Sequence, residues 1–342
     1  MIAAALDHGG DLTAASARFG EPKDGWLDLS TGINPVPYPM AAIAAEVWQR
    51  LPQAAARGTL IAAAARCYGV TNPETIMAAD GSQTLLQWLP RLLPPGPTAI
   101  VAPTYGEYAA CWQAAGRDVS FVRDMADATD AQTLVLANPN NPDGRRFEPD
   151  VLLQHAERLA ARGGWLIVDE AFADATPDIS LAPHAGRPGL VVLRSFGKFY
   201  GLAGLRLGFA LAPLEFAQRL RAALGPWPVS GPALSIGTQA LSDIAWRGWT
   251  RDRLRFDSAR LATLLRKHGL TILGGTAQFC LASHDSASNL SDYLGRRGIL
   301  VRTFAVEPTW LRFGLPRPED LSRLDSALGA WAANRDRASL PV

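Results

Sequence analysis

The chain has 342 residues, of which 48% are hydrophobic, and this length suits two domains better than one. Its formal net charge of +1 excludes the strongly basic character of a nucleic-acid-binding chain. Its three cysteines match no metal-ligand spacing and predict free thiols in a reducing cytoplasm, and no apolar run is long enough to span a membrane.

The N-terminal residues 1–35 show no regular hydrophobic period, and we expect them to form an arm and part of a small domain. They lack the basic and apolar regions of a signal peptide, so none is expected. The alanine-rich stretch at residues 54–65 is interrupted by Arg57 and Gly58. This interruption predicts an ordinary helix rather than a membrane-spanning one.

Short apolar runs alternate with amphipathic segments in residues 36–225, which we interpret as a large domain. The runs are rich in Val, Ile and Leu, as expected of strands that are buried on both faces. The predicted strands are residues 98–101, 119–122, 133–137, 165–168, 190–193 and 207–211, and one of the helices is 148–162. This alternation predicts an α/β fold with three layers, in which helices cover a mostly parallel sheet.

The pattern changes at the Gly-Pro-Trp-Pro segment 225–228, and residues 226–342 predict a smaller α+β domain. A long helix is expected first, from about Pro232 to His268. The strands and helices that follow it are predicted at residues 270–273, 277–281, 288–297, 300–302, 310–313 and 318–334.

Polar side chains follow three of the predicted strands of the large domain. They lie in residues 138–144, at Asp169 and Glu170, and in residues 195–198. In open α/β sheets, ligands bind outside the carboxyl ends of the strands. We therefore expect these residues to share one site.

Residues 194–208, RSFGKFYGLAGLRLG, place Lys198 three residues after Ser195 and eight residues before Arg206. Lys198 can form an imine with an aldehyde cofactor, and Ser195 and Arg206 can hold a phosphate dianion. Alone, the segment is equally compatible with a glycine-rich loop that carries solvated charges. The glycines expected to let its backbone turn sharply are Gly201, Gly204 and Gly208.

Asp169 ends an apolar run, and a carboxylate at the end of a buried strand is unfavourable unless it is paired. A protonated pyridine nitrogen would pair it, and this pairing makes the ring an electron sink. A metal-binding or structural carboxylate is the alternative. We expect the neighbouring Glu170 to be structural, because successive strand residues point to opposite faces.

Three further segments are candidates for the same site, each with a simpler interpretation. Residues 138–144, NPNNPDG, form a turn or place Asn141 against a phenolic oxygen of the cofactor. Gly81 and Ser82, at the start of a predicted helix, form a phosphate cradle or an ordinary N-cap. Tyr105 stacks on the cofactor ring or packs in the core.

As an ordered set, these motifs resemble the fold-type I, aminotransferase-like pyridoxal-phosphate enzymes over nearly the whole chain. The resemblance implies pyridoxal 5'-phosphate as cofactor and a homodimer. It also implies Lys198, Asp169 and Tyr105 as catalytic residues. The residues implied at the cofactor phosphate are Gly81, Ser82, Ser195 and Arg206, and Gln83 is a further cofactor contact. Asp169 is implied at the pyridine nitrogen, Asn141 at the phenolic oxygen and Tyr105 over the ring.

Within this family, the chain is similar to the branch that holds histidinol-phosphate aminotransferases and threonine-phosphate decarboxylases. Its segments 7–11, DHGGD, and 29–35, LSTGINP, look like members from cobalamin biosynthesis. They imply decarboxylation of L-threonine O-3-phosphate to (R)-1-amino-2-propanol O-2-phosphate. The implied substrate contacts are Arg312 at the carboxylate, and His8, Gly32, Asn141 and Arg302.

Other activities stay open. An aminotransferase acting on histidinol phosphate and 2-oxoglutarate would use the same cofactor residues. A ligand-sensing domain of a transcription regulator is a remote alternative, because we see no basic helix-turn-helix before residues 28–34. A nicotinamide dehydrogenase is disfavoured, because no Gly-x-Gly-x-x-Gly opens a helix after the first strand.

Two positions depart from the pattern of the family. Phe172 stands where many relatives have a tyrosine, so a phenol that would share the phenolic oxygen of the cofactor is missing. Leu51 replaces a tyrosine that reaches the cofactor phosphate of the partner subunit in many relatives. This departure weakens the expected contact across the dimer, although not the expectation of the dimer itself.

Overall fold

The computed structural model describes residues 8–338 and divides them into two compact units. The larger unit contains residues 37–141 and 145–249. The smaller unit contains the described residues up to Val36, the short segment Pro142–Gly144 and the residues from Thr250 onwards. The domain boundaries expected from the sequence, at 35/36 and 225/226, stay a prediction.

The described residues contain twelve α-helices and twelve β-strands. The helices are α1 Leu12–Phe19, α2 Ala45–Gln49, α3 Ala54–Tyr68, α4 Ser82–Leu92, α5 Glu107–Ala114, α6 Pro149–Ala160, α7 Phe196–Phe199, α8 Leu214–Leu224, α9 Gly231–Ser242, α10 Ile244–Lys267, α11 Ala287–Gly295 and α12 Leu321–Ala338. The strands are β1 Leu27–Leu29, β2 Ile76–Ala79, β3 Thr98–Val101, β4 Val119–Val122, β5 Thr133–Ala137, β6 Trp165–Asp169, β7 Leu190–Ser195, β8 Gly208–Leu211, β9 Thr271–Thr276, β10 Phe279–Ser283, β11 Ile299–Thr303 and β12 Trp310–Gly314. None of these helices has both the length and the apolar character needed to cross a membrane.

The larger unit is built on a seven-stranded sheet, as counted over residues 8–338, with the order β2-β8-β7-β6-β5-β3-β4. The strands from β3 to β7 pair in parallel, and β8 lies antiparallel between β7 and β2. Their side chains are almost all buried except on the edge strand β4, as expected when helices cover both faces. The predicted α/β class with a mostly parallel sheet is confirmed.

The smaller unit contains a second sheet, with the order β1-β11-β12-β10-β9 among the described strands. Its N-terminal strand β1 pairs in parallel with β11, and the other pairs are antiparallel. The segment Pro142–Gly144 packs tightly on β9 of the same unit. A Cβ atom at Gly144 would overlap the carbonyl oxygen of Gly275, so this contact requires glycine.

Three expectations about single elements were wrong. Residues 1–35 were expected to be irregular, but they contain the helix α1 and the strand β1. The strand β2 was missed, because alanine is depleted in strands and only Ile76 of its four residues is β-branched. The long helix predicted from Pro232 to His268 is two helices, interrupted at Asp243. Asp243 has a non-helical backbone, and its Oδ1 accepts a hydrogen bond from the backbone nitrogen of Trp246 at 2.9 Å. This N-cap begins α10 and ends the preceding pattern.

A buried ion cluster joins the ends of β6 and β7. Arg194 donates from Nη1 to Glu170 Oε2 at 2.7 Å and from Nη2 to Asp174 Oδ1 at 2.5 Å, and none of the three side chains is more than 3% exposed. Glu170 also accepts hydrogen bonds from Ser180 Oγ and Leu181 N. Burial raises the pKa of Glu170, and the charge of Arg194 opposes that rise. Glu170 is therefore structural, as its position beside Asp169 suggests.

Arg194→Met should strongly destabilise the protein, because it leaves two buried carboxylates without their cation. We expect the free energy of unfolding to fall by about 3–5 kcal/mol. The measurement is urea denaturation followed by circular dichroism. The control is Arg187→Met, which removes an ion pair with Glu157 whose side chains are 45% and 66% exposed, and which should cost about 0–1 kcal/mol. Equal losses in the two variants would contradict a special role for the buried cluster.

Candidate active site

The predicted cofactor residues lie in the larger unit and follow the carboxyl ends of its strands. Tyr105 follows β3, Asn141 follows β5, Asp169 ends β6 and Ser195 ends β7. Since β2 and β7 are both antiparallel to β8, they run in the same direction, and Gly81 after β2 reaches the same edge. The sheet therefore brings these residues to one edge.

Lys198 lies on the short helix α7, directly after β7. The helix is anchored by Phe196 and Phe199, which are fully buried, whereas Lys198 between them is partly exposed. Its Nζ lies 3.4 Å from Ser195 Oγ and 5.3 Å from the ring centroid of Phe172. The amine therefore stands between a hydroxyl group and an aromatic face.

The Asp169 carboxylate is 7% exposed and accepts a hydrogen bond on each oxygen. Tyr108 Oη donates to Oδ2 at 2.8 Å, and the backbone N–H of Ala171 donates to Oδ1 at 3.0 Å. Burial raises the pKa of Asp169, and the charge of Lys198 and these hydrogen bonds oppose that rise. The site holds a desolvated carboxylate that would be stabilised by a further positive charge.

Tyr108 was not singled out from the sequence. It lies on the buried face of α5 with Cys111 and Trp112, at the helical spacing of three and four residues. This periodicity is the available signal, because a tyrosine hydroxyl on a buried face needs a hydrogen-bond partner. The sequence does not show that the partner is Asp169.

The start of α4 and the Arg206 side chain form a compact cradle. Gly81 has a φ of 110°, and a Cβ atom there would lie 2.5 Å from Arg206 Nη2. A Cβ atom at Gly208 would overlap the backbone nitrogen of Ser82. The guanidinium group therefore lies beside Gly81, the N-cap of an eleven-residue helix that has no side-chain cap. Such a pair is suited to an anion.

The expectation that three glycines turn the lysine loop is wrong for Gly204. Gly201 has a φ of 65°, but Gly204 has no left-handed φ, and a Cβ atom there would meet nothing within 4 Å. Gly208 is required by the close packing of β8 against the start of α4 rather than by a turn. The sharp turn before β8 lies at Arg206 itself, which has a φ of 53°.

The asparagines of residues 138–144 have different roles in the loop. Asn138 exchanges two hydrogen bonds of 3.0 Å with the backbone of Phe147, and Asn140 Oδ1 accepts from Thr104 Oγ1 at 2.7 Å. Both asparagines are buried, whereas Asn141 is partly exposed. The first two fix the loop, and the contact of Asn141 with the cofactor stays a prediction.

Tyr105 and Gln83 link the cradle to α5. Tyr105 Oη lies 3.4 Å from Gln83 Oε1, and Gln83 Nε2 donates to Glu107 Oε2 at 2.8 Å. The Tyr105 ring packs edge-on against Tyr108 with centroids 5.5 Å apart. Burial raises the pKa of Tyr105, so its hydroxyl keeps its proton at neutral pH.

Arg302 and Arg312, predicted on the substrate side, are cross-strand neighbours on β11 and β12 of the smaller unit. Arg312 is 7% exposed, donates from Nη2 to the carbonyl oxygen of Ser30 at 2.7 Å, and lies 5.0 Å from the ring centroid of Phe279. Burial and the charge of Arg302 lower the pKa of Arg312 to about 10, and Asp28 opposes that change. Arg312 therefore stays charged at neutral pH.

The other predicted substrate contacts in the smaller unit belong to the two N-terminal segments. His8 is exposed and Gly32 is buried. The segments meet where the backbone nitrogen of Gly10 donates to Ser30 Oγ at 2.8 Å. Asp7, the first residue of the DHGGD segment, lies outside the described residues.

Comparison with known proteins gives concordant results. Residues 26–328 match the family described as aminotransferase class I and II. The threonine-phosphate decarboxylase of Pseudomonas aeruginosa is 46% identical, with 94% of this chain and 97% of that protein covered. The enzyme of the same name from a Sinorhizobium species is 44% identical (92% and 94% covered), and histidinol-phosphate aminotransferase 3 of Mesorhizobium japonicum is 31% identical (86% and 84% covered).

The fold of a solved structure agrees with this family. The histidinol-phosphate aminotransferase of Sinorhizobium meliloti superposes with a TM-score of 0.81 at 20% identity, over 96% of each chain. The family recognised from the sequence motifs is thus confirmed by both sequence and fold. The chain belongs to the aminotransferase class I and II family.

Proposed function

We propose that this chain is a pyridoxal 5'-phosphate-dependent carboxy-lyase that converts L-threonine O-3-phosphate to (R)-1-amino-2-propanol O-2-phosphate and carbon dioxide in cobalamin biosynthesis. The observation that carries the proposal is the gathering of Lys198, Asp169 and the cradle of Gly81 and Arg206 in one unit. The two relatives named threonine-phosphate decarboxylase, at 46% and 44% identity, support the choice of reaction and substrate.

The residues fit the three reactive parts of the cofactor. The amine of Lys198 suits its aldehyde, and the cradle of Gly81 and Arg206 suits its phosphate, because a side chain at residue 81 would fill that space. The desolvated carboxylate of Asp169 suits a protonated ring nitrogen. Tyr105 and Asn141 are the proposed contacts to the ring face and the phenolic oxygen.

When bound, pyridoxal phosphate supplies an aldehyde that condenses with amines and a ring that accepts the electron pair released at Cα. Asp169 would stabilise positive charge at the ring nitrogen, and Lys198 Nζ would return a proton to Cα. The protein also selects the bond that breaks, because it orients the substrate. Decarboxylation would require the protein to hold the substrate so that the bond from Cα to the carboxylate is the one that breaks.

Arg312 is our proposed partner for the substrate carboxylate, with Arg302, His8, Gly32 and Asn141 as further substrate contacts. A buried guanidinium group binds a carboxylate with paired, charge-assisted hydrogen bonds. The substrate carries a carboxylate and a phosphate, and the adjacent positive charges of Arg302 and Arg312 suit such an anionic molecule.

We also propose that the protein is a cytoplasmic homodimer. Trp48, Leu51 and Trp227 are 66%, 59% and 56% exposed. Leu51 precedes Pro52, which lines two cavities, one bordered by Trp48 and the other by Trp227. A patch of large apolar groups is suited to a second copy of the chain. The three free cysteines suit a reducing compartment.

The central test is incubation of the pyridoxal-phosphate-loaded protein with L-threonine O-3-phosphate, followed by measurement of carbon dioxide and aminopropanol phosphate. We expect equal amounts of the two products, and none with Lys198→Ala, because the variant lacks the amine. A parallel reaction contains histidinol phosphate and 2-oxoglutarate, substrates of the alternative aminotransferase. Glutamate formation there, without carbon dioxide release from threonine phosphate, would replace the proposed reaction by transamination.

Arg312→Gln should impair substrate binding, because it removes the proposed partner of the carboxylate. We expect kcat/KM for L-threonine O-3-phosphate to fall about 100-fold, a typical loss for truncating a buried charge pair. The cofactor spectrum should be retained. The control is Arg255→Gln, which changes an arginine whose side chain is 73% exposed and should leave kcat/KM unchanged. A loss below twofold in Arg312→Gln would remove Arg312 from the site.

Leu51→Glu should weaken the dimer, because it places a charge in the apolar patch. Sedimentation velocity should give twice the monomer mass of 36.6 kDa for the wild type and a shift toward the monomer for the variant. Val306→Glu, at a residue that is 80% exposed in the smaller unit, is the control. A monomeric wild type, or a variant that dimerises as tightly as the wild type, would contradict the proposed interface.

A further inference from the structure

Tyr108 contacts the carboxylate that we assign to the ring nitrogen of the cofactor, although Tyr108 itself has no place in the reaction described above. We propose that Tyr108 is a positioning residue, whose hydroxyl holds the Asp169 carboxylate in the orientation and charge state that the ring nitrogen needs. This inference rests on the proposed function and assigns a role to a residue that does not touch the reacting atoms.

The geometry fixes the carboxylate from two sides. Tyr108 Oη donates to Oδ2 of Asp169 from α5, at 2.8 Å, and the backbone N–H of Ala171 donates to Oδ1 from the loop after β6, at 3.0 Å. The carboxylate cannot rotate without losing one of these bonds. Each carboxylate oxygen accepts two hydrogen bonds, so capacity remains for a third donor.

Tyr108 is a permanent donor in this arrangement. Its side chain is 2% exposed, and burial together with the negative charge of Asp169 raises its pKa well above that of free tyrosine. The hydroxyl therefore keeps its proton throughout the neutral pH range. Its ring is wedged edge-on against Tyr105, which limits its movement.

The hydrogen bond also offsets the cost of burying the charge. Asp169 is faced by Lys198 from α7, by Tyr108 from α5, by Tyr105 from the preceding loop and by Arg194 from β7. Burial raises the pKa of Asp169, and Lys198, Tyr108 and Arg194 lower it. Lys198 lowers the pKa of Asp169 only while its amine is charged, and this amine would react with the cofactor. The contribution of Tyr108 is constant, which is what a positioning residue requires.

The test is Tyr108→Phe, which keeps the ring and removes only the hydroxyl. Apoprotein is titrated with pyridoxal phosphate from about pH 5 to about pH 9, a range that covers a raised carboxyl pKa. Binding is followed by tryptophan fluorescence and by the visible absorbance of the cofactor. We expect the dissociation constant to rise about tenfold, the lower range for a hydrogen bond to a charged group.

The pH profile distinguishes positioning from simple packing. The ionised form of Asp169 binds the ring nitrogen, so affinity is lost as the pH falls through the pKa of Asp169. Without the Tyr108 donor that pKa is higher, and the loss should begin at a higher pH in the variant. Tyr68→Phe is the control, because Tyr68 is also a buried tyrosine but contacts Arg194 rather than Asp169. It should leave both the affinity and the pH profile unchanged.

A double-mutant cycle with Asp169→Asn keeps the inference testable even if Tyr108→Phe is less stable. In the Asp169→Asn background, removal of the Tyr108 hydroxyl should change the dissociation constant less than twofold, because the charge it stabilises is gone. Additive effects in the cycle, or a Tyr108→Phe profile identical to that of the wild type, would overturn the role of Tyr108 alone. A wild-type protein that binds no pyridoxal phosphate would instead overturn the proposed function.

Discussion

The buried carboxylate of Asp169 is the constraint on which the rest of the site depends. A charge at the end of a buried parallel strand is unfavourable, and burial raises the pKa of this group. The neighbouring groups oppose that cost: Tyr108 and Ala171 donate to its oxygens, and Lys198 supplies an opposite charge. Burial also raises the pKa of the adjacent Glu170, and the ion pair with Arg194 opposes that rise. One strand end thus carries two neighbouring carboxylates, one that we assign to the cofactor and one that is structural.

Backbone geometry gives the site its second constraint. The close approach of Arg206 to Gly81, and of Gly208 to the start of α4, leaves no space for side chains. Arg206 accepts a left-handed conformation, which is unfavourable for a residue with a Cβ atom, and its guanidinium group lies beside Gly81 at the start of α4. A strained residue with a positive charge next to a helix N-terminus suits an anion-binding role.

Much of the fold and the site could be predicted from the sequence, for a physical reason. Buried strands are continuous apolar runs, so the bounds of β3 and β5 were correct to the residue. The helix break at Asp243 was missed, although an aspartate whose side chain accepts from a backbone nitrogen three residues later is a local N-cap signal. The sequence could not separate Asn141 from Asn138 and Asn140, or assign Tyr108 to Asp169. These distinctions depend on contacts between segments that are distant in the chain, and spacing does not contain that information.

The arginine pair of the smaller unit carries the argument for an anionic substrate one step further. Arg302 and Arg312 are opposite each other on antiparallel strands, where like charges destabilise a sheet. Arg312 is also buried, and both effects lower its pKa. Among the influences on this pKa, burial and the charge of Arg302 oppose the charged form, and Asp28 favours it. Local conflicts of this kind are expected where a protein binds its ligand. A substrate that carries both a carboxylate and a phosphate would relieve the repulsion when it binds, whereas a neutral one would leave it in place.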